Sequence, residues 1–449
     1  MRGEKDVVIY SAVISACEKG LQWELALALL AELVEEELQS NIVTCSSAIS
    51  ACEKGGQWQR AGALLSELAE EGLRANVFTY SSVLGAYGKS EQWQEALYTF
   101  KDIQDRLVRT NVIVYNAATS ACERGSQWKT ALMLLEANPK ADVISHNAAL
   151  SALEKSTHWQ HALSLFSEAI DAGLRPTVVT HNAVLSALGS GGQWESALHI
   201  LERLAKQHLQ SSVVTWNSAI TACEKGDQWQ RAVHLLREMQ ERSVRSSIIS
   251  CNSAISACER GERWEWALDL LREIPRSQLS ADVISFNAAI SACEKGQQWQ
   301  RALLLLNELQ ACDFQGTVIT YSAAISAVEK GSQWQQAVQL LAQLPRRHVR
   351  SNVITYSSAI SACGRGQQWE LALQLLTELK HRSLRVNIVT YNAAISSCER
   401  GQQWQPAQEL LAQLGRYCLQ STAFGFTPAM ACESWSQALR TWGMPGTQE

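Results

Sequence analysis

The sequence predicts an all-α solenoid of about twelve tandem 35-residue helical hairpins, on three observations. A tryptophan returns along almost the whole 449-residue chain inside a phrase that barely changes: SAISACEKGGQW, NSAITACEKGDQW, NAAISACEKGQQW, SSAISACGRGQQW. Its twelve copies, Trp23, Trp58, Trp93, Trp128, Trp159, Trp194, Trp229, Trp264, Trp299, Trp334, Trp369 and Trp404, are 35 residues apart except for one step of 31 between Trp128 and Trp159. Within each copy the apolar residues step by three and four, the period of one helix face. A repeat of this length marks an array of small supersecondary units. The length therefore does not imply the roughly three globular domains it otherwise would.

Counted from the Val or Ile that opens each copy, the repeats begin at Val7, Ile42, Val77, Val112, Val143, Val178, Val213, Ile248, Val283, Val318, Val353 and Ile388, and the twelfth closes near Thr422. Residues 1–6 are a short lead. Residues 423–449 read as an eroded thirteenth repeat, suited to the capping that such arrays need. In the repeat 283–317, Ser285 is placed to cap a first helix from Phe286 to about Lys295. Ala289, Ile290 and Cys293 form its apolar face, and Gly296 is a ready stop because glycine takes a left-handed φ without penalty. A second helix starts near Gln298 and carries Trp299, Ala302, Leu303, Leu306 and Leu309 down one face. Sharing that face, the tryptophan reads as a knob packing each hairpin on the next; a row of exposed rings that stack on bases is the other use of such spacing. Repeat four departs from the rest. Its second helix, in MLLEANPKAD, ends four residues early at Pro139, which predicts a local change of superhelical pitch.

A hydrophobic content of 46% supplies a continuous apolar spine, and only 7 prolines with no long polar tract argue against disorder. The net charge of −5 excludes a polycation and leaves the partner class open. No run of about eighteen apolar residues is present, so no membrane helix is expected. Met1 to Lys5 is too short for a signal or transit peptide. Eight cysteines (Cys17, Cys52, Cys122, Cys223, Cys258, Cys293, Cys363 and Cys398) fill one slot of the repeat. Successive copies lie in different repeats, too far apart for a disulfide, so they read as small buried thiols of a reducing compartment. His158 and His161 are the nearest approach to a metal pair and read as surface helix residues. With no Walker loop and no acidic cluster for two metals, the chain reads as a binder: no enzyme, no cofactor, no metal, no small-molecule substrate.

Two families of helical hairpins have periods near this one. The tetratricopeptide repeat runs at about 34 residues with its tryptophan early in the first helix. Here the tryptophan opens the second helix. The pattern Val-Val/Ile-Thr-Tyr-Asn, then Ala-Leu-x-Leu-Leu, then a residue such as Asn or Asp at the end, resembles the pentatricopeptide repeat over residues 7–422. The resemblance implies a right-handed superhelical solenoid whose groove binds single-stranded RNA, one nucleotide per repeat, read by two or three side chains. It also implies a mitochondrial or chloroplast location, a part in organellar RNA processing, stability or translation, and RNA-processing proteins as possible partners. A protein-binding scaffold is the rival reading. Some members carry a C-terminal deaminase-like domain with His-x-Glu and Cys-x-x-Cys; residues 423–449 have neither, which implies the repeats-only type.

The resemblance assigns roles to positions. The second residue of each repeat matches the wedge that clamps a base: Val8, Val43, Phe78, Ile113, Ile144, Val179, Val214, Ile249, Ile284, Ile319, Ile354 and Val389. The thirteenth matches a position near the phosphate backbone: Lys19, Lys54, Lys89, Arg124, Lys155, Lys225, Arg260, Lys295, Lys330, Arg365 and Arg400, with Ser190 the exception. A cation serving the C-terminal end of a helix is the alternative use of that position, and a glutamate precedes it in nine repeats. The base-reading pair matches the fifth and last residues.

That pair sorts. The fifth residue is Ser11, Ser46, Ser81, Ser322 or Ser357 in five repeats, whose last residues are Asn41, Asn76, Asn111, Asn352 and Asn387. In the other seven the fifth is Asn116, Asn147, Asn182, Asn217, Asn252, Asn287 or Asn392, and the last is Asp142, Thr177, Ser212, Ser247, Asp282, Thr317 or Thr422. Independent positions would sort this way in roughly 1 of 792 shuffles, and co-varying positions suggest contact with a common object. Duplication of neighbouring repeats would also copy both residues together. A short serine leaves room for a purine, and a terminal Asn amide donates and accepts as adenine's edge demands. Asp accepts from uracil N3–H, Ser donates to cytosine N3, and Thr behaves as a weaker Ser. Read from repeat one at the 5′ end, the pairs spell AAAUYCCUYAAY, Y being a pyrimidine. Neither member lies on the apolar face, so both are expected to be exchangeable at little cost in stability.

Overall fold

The computed structural model describes residues 2–36, 41–106, 110–207, 209–312, 314–382, 384 and 386–421. Those residues form twenty-four α-helices and no strand, in tandem hairpins. A first helix such as Val283–Lys295 is followed by a second such as Trp299–Ala311. The chain divides into two compact units, Met1–Arg231 with Arg237–Val244, and Ala232–Leu236 with Arg245–Glu449. In each, first helices pack on the first helices of neighbouring repeats and second helices on both flanking first helices. No helix among the described residues is long and apolar enough to cross a membrane. The lead is not separate from the array, since the opening helix runs Arg2–Lys19. Residues 423–449, expected as an eroded repeat, lie outside the described residues.

The first helix starts sooner than expected, and its cap is a different residue. Asp282, the last residue of the preceding repeat, is the N-cap of Val283–Lys295, and its carboxylate accepts from Ser285 N–H. Ser285 is the third helical residue; its hydroxyl accepts the Asp282 N–H at 3.3 Å, which closes a capping box. The ambiguity is chemical, because both residues are capping types three positions apart.

The helix stop also differs. Gly296 has φ −76, and the left-handed residue is the next one, Gln297, at φ 57. Leu21, Glu91, Ser126, Thr157, Asp227, Glu262, Ser332, Gln367 and Gln402 repeat this conformation at the same position, where Gly56 and Gly192 stand in two repeats. Gln298 N–H to Cys293 O at 2.8 Å and Gln297 N–H to Glu294 O at 3.1 Å close the turn. An ordinary L-residue held there is strained by about 1–2 kcal/mol. Gln297→Gly is therefore expected to raise stability by up to about 1 kcal/mol after glycine's own entropic cost, read from a thermal or denaturant melt.

The glycine answers to packing. A Cβ on Gly296 would lie well inside 3.0 Å of Cγ and Cδ1 of Trp264, the tryptophan of the preceding repeat. The same meeting occurs for Gly55 with Trp23, Gly125 with Trp93, Gly191 with Trp159, Gly331 with Trp299 and Gly366 with Trp334. Gly20, in the first repeat, has no preceding tryptophan and meets only its own turn. Arginines cover several of these rings: Arg301 lies 4.2 Å from the Trp264 centroid and Arg231 4.5 Å from that of Trp194. The tryptophans are knobs between successive repeats. Trp404, whose successor lies outside the described residues, is 56% exposed.

Repeat four has the short second helix expected, Trp128–Glu136, nine residues against the usual thirteen. The buried Asn138 closes the shortened link, donating to Ser145 Oγ at 3.2 Å and accepting from Lys140 N–H at 3.2 Å. The slot cysteines Cys52, Cys122, Cys223, Cys258, Cys293, Cys363 and Cys398 are free buried thiols. Burial alone pushes the Cys258 thiol up to about 12. His158 and His161 stack on Trp128, with ring centroids 4.2 and 5.0 Å away. No group of three metal-ligating side chains occurs among the described residues.

Candidate nucleic-acid interface

The first turn of each first helix holds three features in fixed register. Its second residue is an exposed aliphatic or aromatic side chain in all twelve repeats, from 54% exposed at Phe78 to 66% at Ile319. Soluble proteins rarely repeat exposed apolar side chains in such a row without a partner for them. The fifth residue lies one turn further on the same helix face. The last residue caps the next first helix, as Asp282 does in front of Ile284. Each polar pair is thus set between two exposed aliphatic residues, such as Ile249 and Ile284.

In four of the repeats whose fifth residue is Asn, that amide reaches the last residue of its own repeat. Asn252 Nδ2 donates to both Asp282 carboxylate oxygens, at 3.1 and 3.3 Å, and Asn116 Nδ2 to Asp142 at 3.3 Å. Asn182 donates to Ser212 at 3.3 Å and Asn287 to Thr317 at 3.5 Å. Where the fifth residue is Ser, it turns back on its own helix: Ser11 donates to Val8 O at 2.9 Å, Ser81 to Phe78 O at 2.8 Å, Ser46 to Ile42 O, Ser322 to Val318 O and Ser357 to Val353 O. The last-position Asn then caps the next helix by itself. Asn41, Asn76, Asn111, Asn352 and Asn387 each accept from the N–H of the third residue beyond. The sorting of the pair thus runs parallel to a difference in contact, since in those four repeats the Asn touches the last residue and in the Ser-type repeats the serine bonds its own helix.

Burial works to raise the Asp282 pKa. Hydrogen bonds from Ser285 N–H, Ser285 Oγ–H and the Asn252 amide outweigh it and hold the carboxyl below its usual 3.8. Asp142 is held low by the same set against the same opposing burial. Both are acceptors only. One expectation needs correcting: Asn252 is only 9% exposed and Ser357 likewise, so these positions are half of a buried network. Thr177 and Ser247 cap the next helices like the others. Thr422, the last residue of repeat twelve and the fellow of Asn392 in its pair, lies outside the described residues.

The basic thirteenth residues are mostly engaged. Lys54 pairs with Glu18 at 3.0 Å, Lys89 with Glu53 at 3.1 Å, Lys155 with Glu123 at 3.4 Å, Lys295 with Glu259 at 3.3 Å, Lys330 with Glu294 at 3.2 Å and Arg365 with Glu329 at 3.5 Å. Each partner is the twelfth residue of the preceding repeat, so the stripe is a ladder of half-exposed ion pairs between repeats. Lys54, Lys89 and Arg365 also donate to the carbonyl of that glutamate, at the end of the preceding first helix. Repeats three, six and eleven have Gly88, Gly189 and Gly364 in place of the glutamate. Arg124, Lys225 and Arg400, which follow them, are exposed. Lys225 donates instead to the Ser190 carbonyl at 3.2 Å. A Cβ on Gly189 or Gly364 would lie inside 3.0 Å of Ser218 O or Ser397 Oγ on the next first helix, whereas one on Gly88 would meet Ala121 at ordinary contact.

A family model described as the pentatricopeptide repeat domain matches residues 28–90, 134–191, 164–226, 234–297, 304–366 and 339–401, more than half of the chain. A second, described as the PPR repeat, matches 8–38, 78–106, 214–244 and 284–314. No curated protein sequence matches. Among solved structures the chain is similar to the pentatricopeptide repeat protein PPR10 from maize, at 19% identity and a TM-score of 0.54, covering 91% of this chain and 68% of that one. It is also similar to PPR10 in complex with an 18-nt psaJ RNA element, at 21% identity and a TM-score of 0.55, covering 94% of this chain and 65% of that one. The chain thus spans about two thirds of their length. Repeat after repeat, from the tryptophan knobs to the capped first helices, the chain belongs to the pentatricopeptide repeat family.

Proposed function

We propose that the chain binds single-stranded RNA, one nucleotide per repeat, reading AAAUYCCUYAAY from repeat one at the 5′ end, in organellar RNA processing, stability or translation. The observation that carries this reading is the exposed aliphatic residue at the second position of every repeat, with a polar pair set between each two. Such a row offers sandwiching contacts to successive bases, whose faces are apolar and whose edges hydrogen-bond. The RNA-bound PPR10 structure, similar in fold, supports the choice of ligand class. Selection from a random single-stranded RNA pool is expected to return A-rich ends around a pyrimidine centre. A protein that retains no RNA at low salt, or retains it without preference, would sink the reading in favour of a protein-binding scaffold.

The ion-pair ladder sharpens the electrostatics. Log affinity on a single strand falls with log salt by about 0.7 per phosphate neutralised. Arg124→Ala and Lys225→Ala are each expected to flatten that slope by about 0.7, since neither cation has a glutamate in the preceding repeat. Lys295→Ala should flatten it by less, because Glu259 already holds that ammonium. Equal slopes for all three variants and the parent protein would reassign the whole stripe to contacts between repeats. Sequence preference should be unaffected throughout, because phosphates carry no base identity.

A further inference from the structure

From repeat two onward, the third residue of each first helix is a buried side chain that the reading of bases has not so far used. In repeats that follow an Asn-type pair it carries a hydroxyl, and that hydroxyl lies against the amide oxygen of the preceding repeat's fifth residue. Ser145 Oγ is 2.5 Å from Asn116 Oδ1, Thr180 Oγ1 2.7 Å from Asn147 Oδ1 and Thr215 Oγ1 2.6 Å from Asn182 Oδ1. In the second compact unit Ser285 Oγ is 2.6 Å from Asn252 Oδ1 and Thr320 Oγ1 2.5 Å from Asn287 Oδ1. These are O–H···O separations, shorter than an amide N–H would make. All five hydroxyl-bearing residues are almost fully buried.

The separation gives the direction. At 2.6 Å Thr215 Oγ1 donates its single proton to Asn182 Oδ1, while it accepts the Ser212 N–H at 3.1 Å. The amide oxygen is thereby held inward, and Nδ2 is turned toward the last residue of the repeat, Ser212, at 3.3 Å. In repeat eight the Ser285 proton is shared between Asn252 Oδ1 at 2.6 Å and Asp282 Oδ1 at 2.8 Å, and the carboxylate enforces the same orientation. A flipped Asn252 amide would set its oxygen against both carboxylate oxygens of Asp282. After Ser-type repeats the serine is bonded to its own helix, and the third-residue hydroxyl goes instead to the last-residue Asn: Thr44, Thr79 and Thr390 donate to the amide oxygens of Asn41, Asn76 and Asn387. Val114 stands in place of a hydroxyl residue directly after the Ser81 repeat and is equally buried.

We infer that the hydroxyl at the third position of the following repeat is a positioning residue for base selection, fixing the Asn amide so that one defined face of it meets the base. This rests on the RNA-binding reading above. It assigns the specificity of an Asn-type repeat to three residues, two of its own and one borrowed from its successor. It does not extend to Ser-type repeats.

The test uses the full chain with three substitutions and matched RNA oligonucleotides that differ at one nucleotide. Thr215→Val copies the shape and the residue tolerated at Val114. It is expected to reduce the preference for cytosine at the sixth nucleotide by about tenfold, the loss of one aligned hydrogen bond. Thr215→Ser keeps the hydroxyl and is expected to restore the preference. Thr355→Val is the control: Thr355 closes a capping box with Asn352 but follows Ser322, so the adenine preference at the tenth nucleotide should stand. A parent protein that selects cytosine, with Thr215→Val selecting it equally well, overturns the inference and leaves the RNA-binding reading intact. Equal losses for Thr215→Val and Thr355→Val, each matched by a fall in melting temperature, would also overturn it, by reducing the hydroxyl to a helix cap. A parent protein without any base preference sinks both.

Discussion

Asn252→Ser combined with Asp282→Asn is expected to switch the eighth nucleotide from uracil to adenine, with a change in preference on the order of 1–3 kcal/mol. The two changes install the pair that repeat eleven already carries in Ser357 and Asn387. The packing supplies the landing place for each. A serine at 252 has its own helix carbonyls within reach, as Ser357 bonds Val353 O. An amide at 282 can cap the next helix as Asn387 does, accepting from Thr390 N–H at 2.8 Å and Thr390 Oγ1–H at 2.6 Å. The buried Ser285 hydroxyl, deprived of the Asn252 oxygen, keeps an acceptor in the new cap. Stability should therefore fall by no more than about 1 kcal/mol, more than for a free surface exchange because Asn252 is buried. Affinities for oligonucleotides that differ only at that position decide the matter. Equal losses on both, with an unchanged melt, would mean the pair does not read bases. In the parent protein the uracil preference should stay flat from neutral pH down to about pH 5, because Asp282 is held below 3.8 and remains an acceptor. Its share of stability is full above 3.8 and is lost only as pH falls through the lower folded value.

Much of this architecture can be read from the tryptophan period and the three-and-four stepping of apolar residues, because both are local and repeat twelve times. The features that cannot are those whose cause lies in a neighbouring repeat. Ser285 looks like a cap because capping residues are judged within a few positions; Asp282 wins because the turn of helix between them belongs to the helix itself. Gly296 looks like a conformational stop, yet its reason is the indole of Trp264, 32 residues earlier in the chain. A signal was present: the glycine gives way to Ser90 and Ser156 only in repeats three and five. There the facing tryptophans meet other rings, Trp58 with Tyr87 at 6.1 Å and Trp128 with His158. The lysine stripe likewise reads as a free cationic edge until the preceding repeat's glutamates are placed against it. The pairing of the fifth and last residues was visible as co-variation, and the contact between them, as of Asn252 with Asp282, was not.

Gly296→Ala is expected to destabilise the array by about 1–3 kcal/mol, the range for a methyl forced into a close-packed contact. The clash would fall on Cγ and Cδ1 of Trp264, the base of the ring, which cannot swing away as a chain end could. Moving the ring would also strip Arg301 from its face. Gly20→Ala is the matched control. Gly20 holds the same place in the first repeat with no tryptophan before it, so the change should be neutral or mildly stabilising, as glycine-to-alanine changes near helices usually are. Trp264→Leu in the Gly296→Ala background should cost less than Trp264→Leu alone. The coupling, about 0.5–3 kcal/mol, measures the contact itself. In an array whose stability is a sum of repeats and nearest-neighbour interfaces, a damaged interface also loosens the coupling between its two sides. The melt of Gly296→Ala should therefore broaden as well as shift. A melt indistinguishable from that of Gly20→Ala would mean that the glycine is not there for the tryptophan, and that the two recur in the repeat for separate reasons.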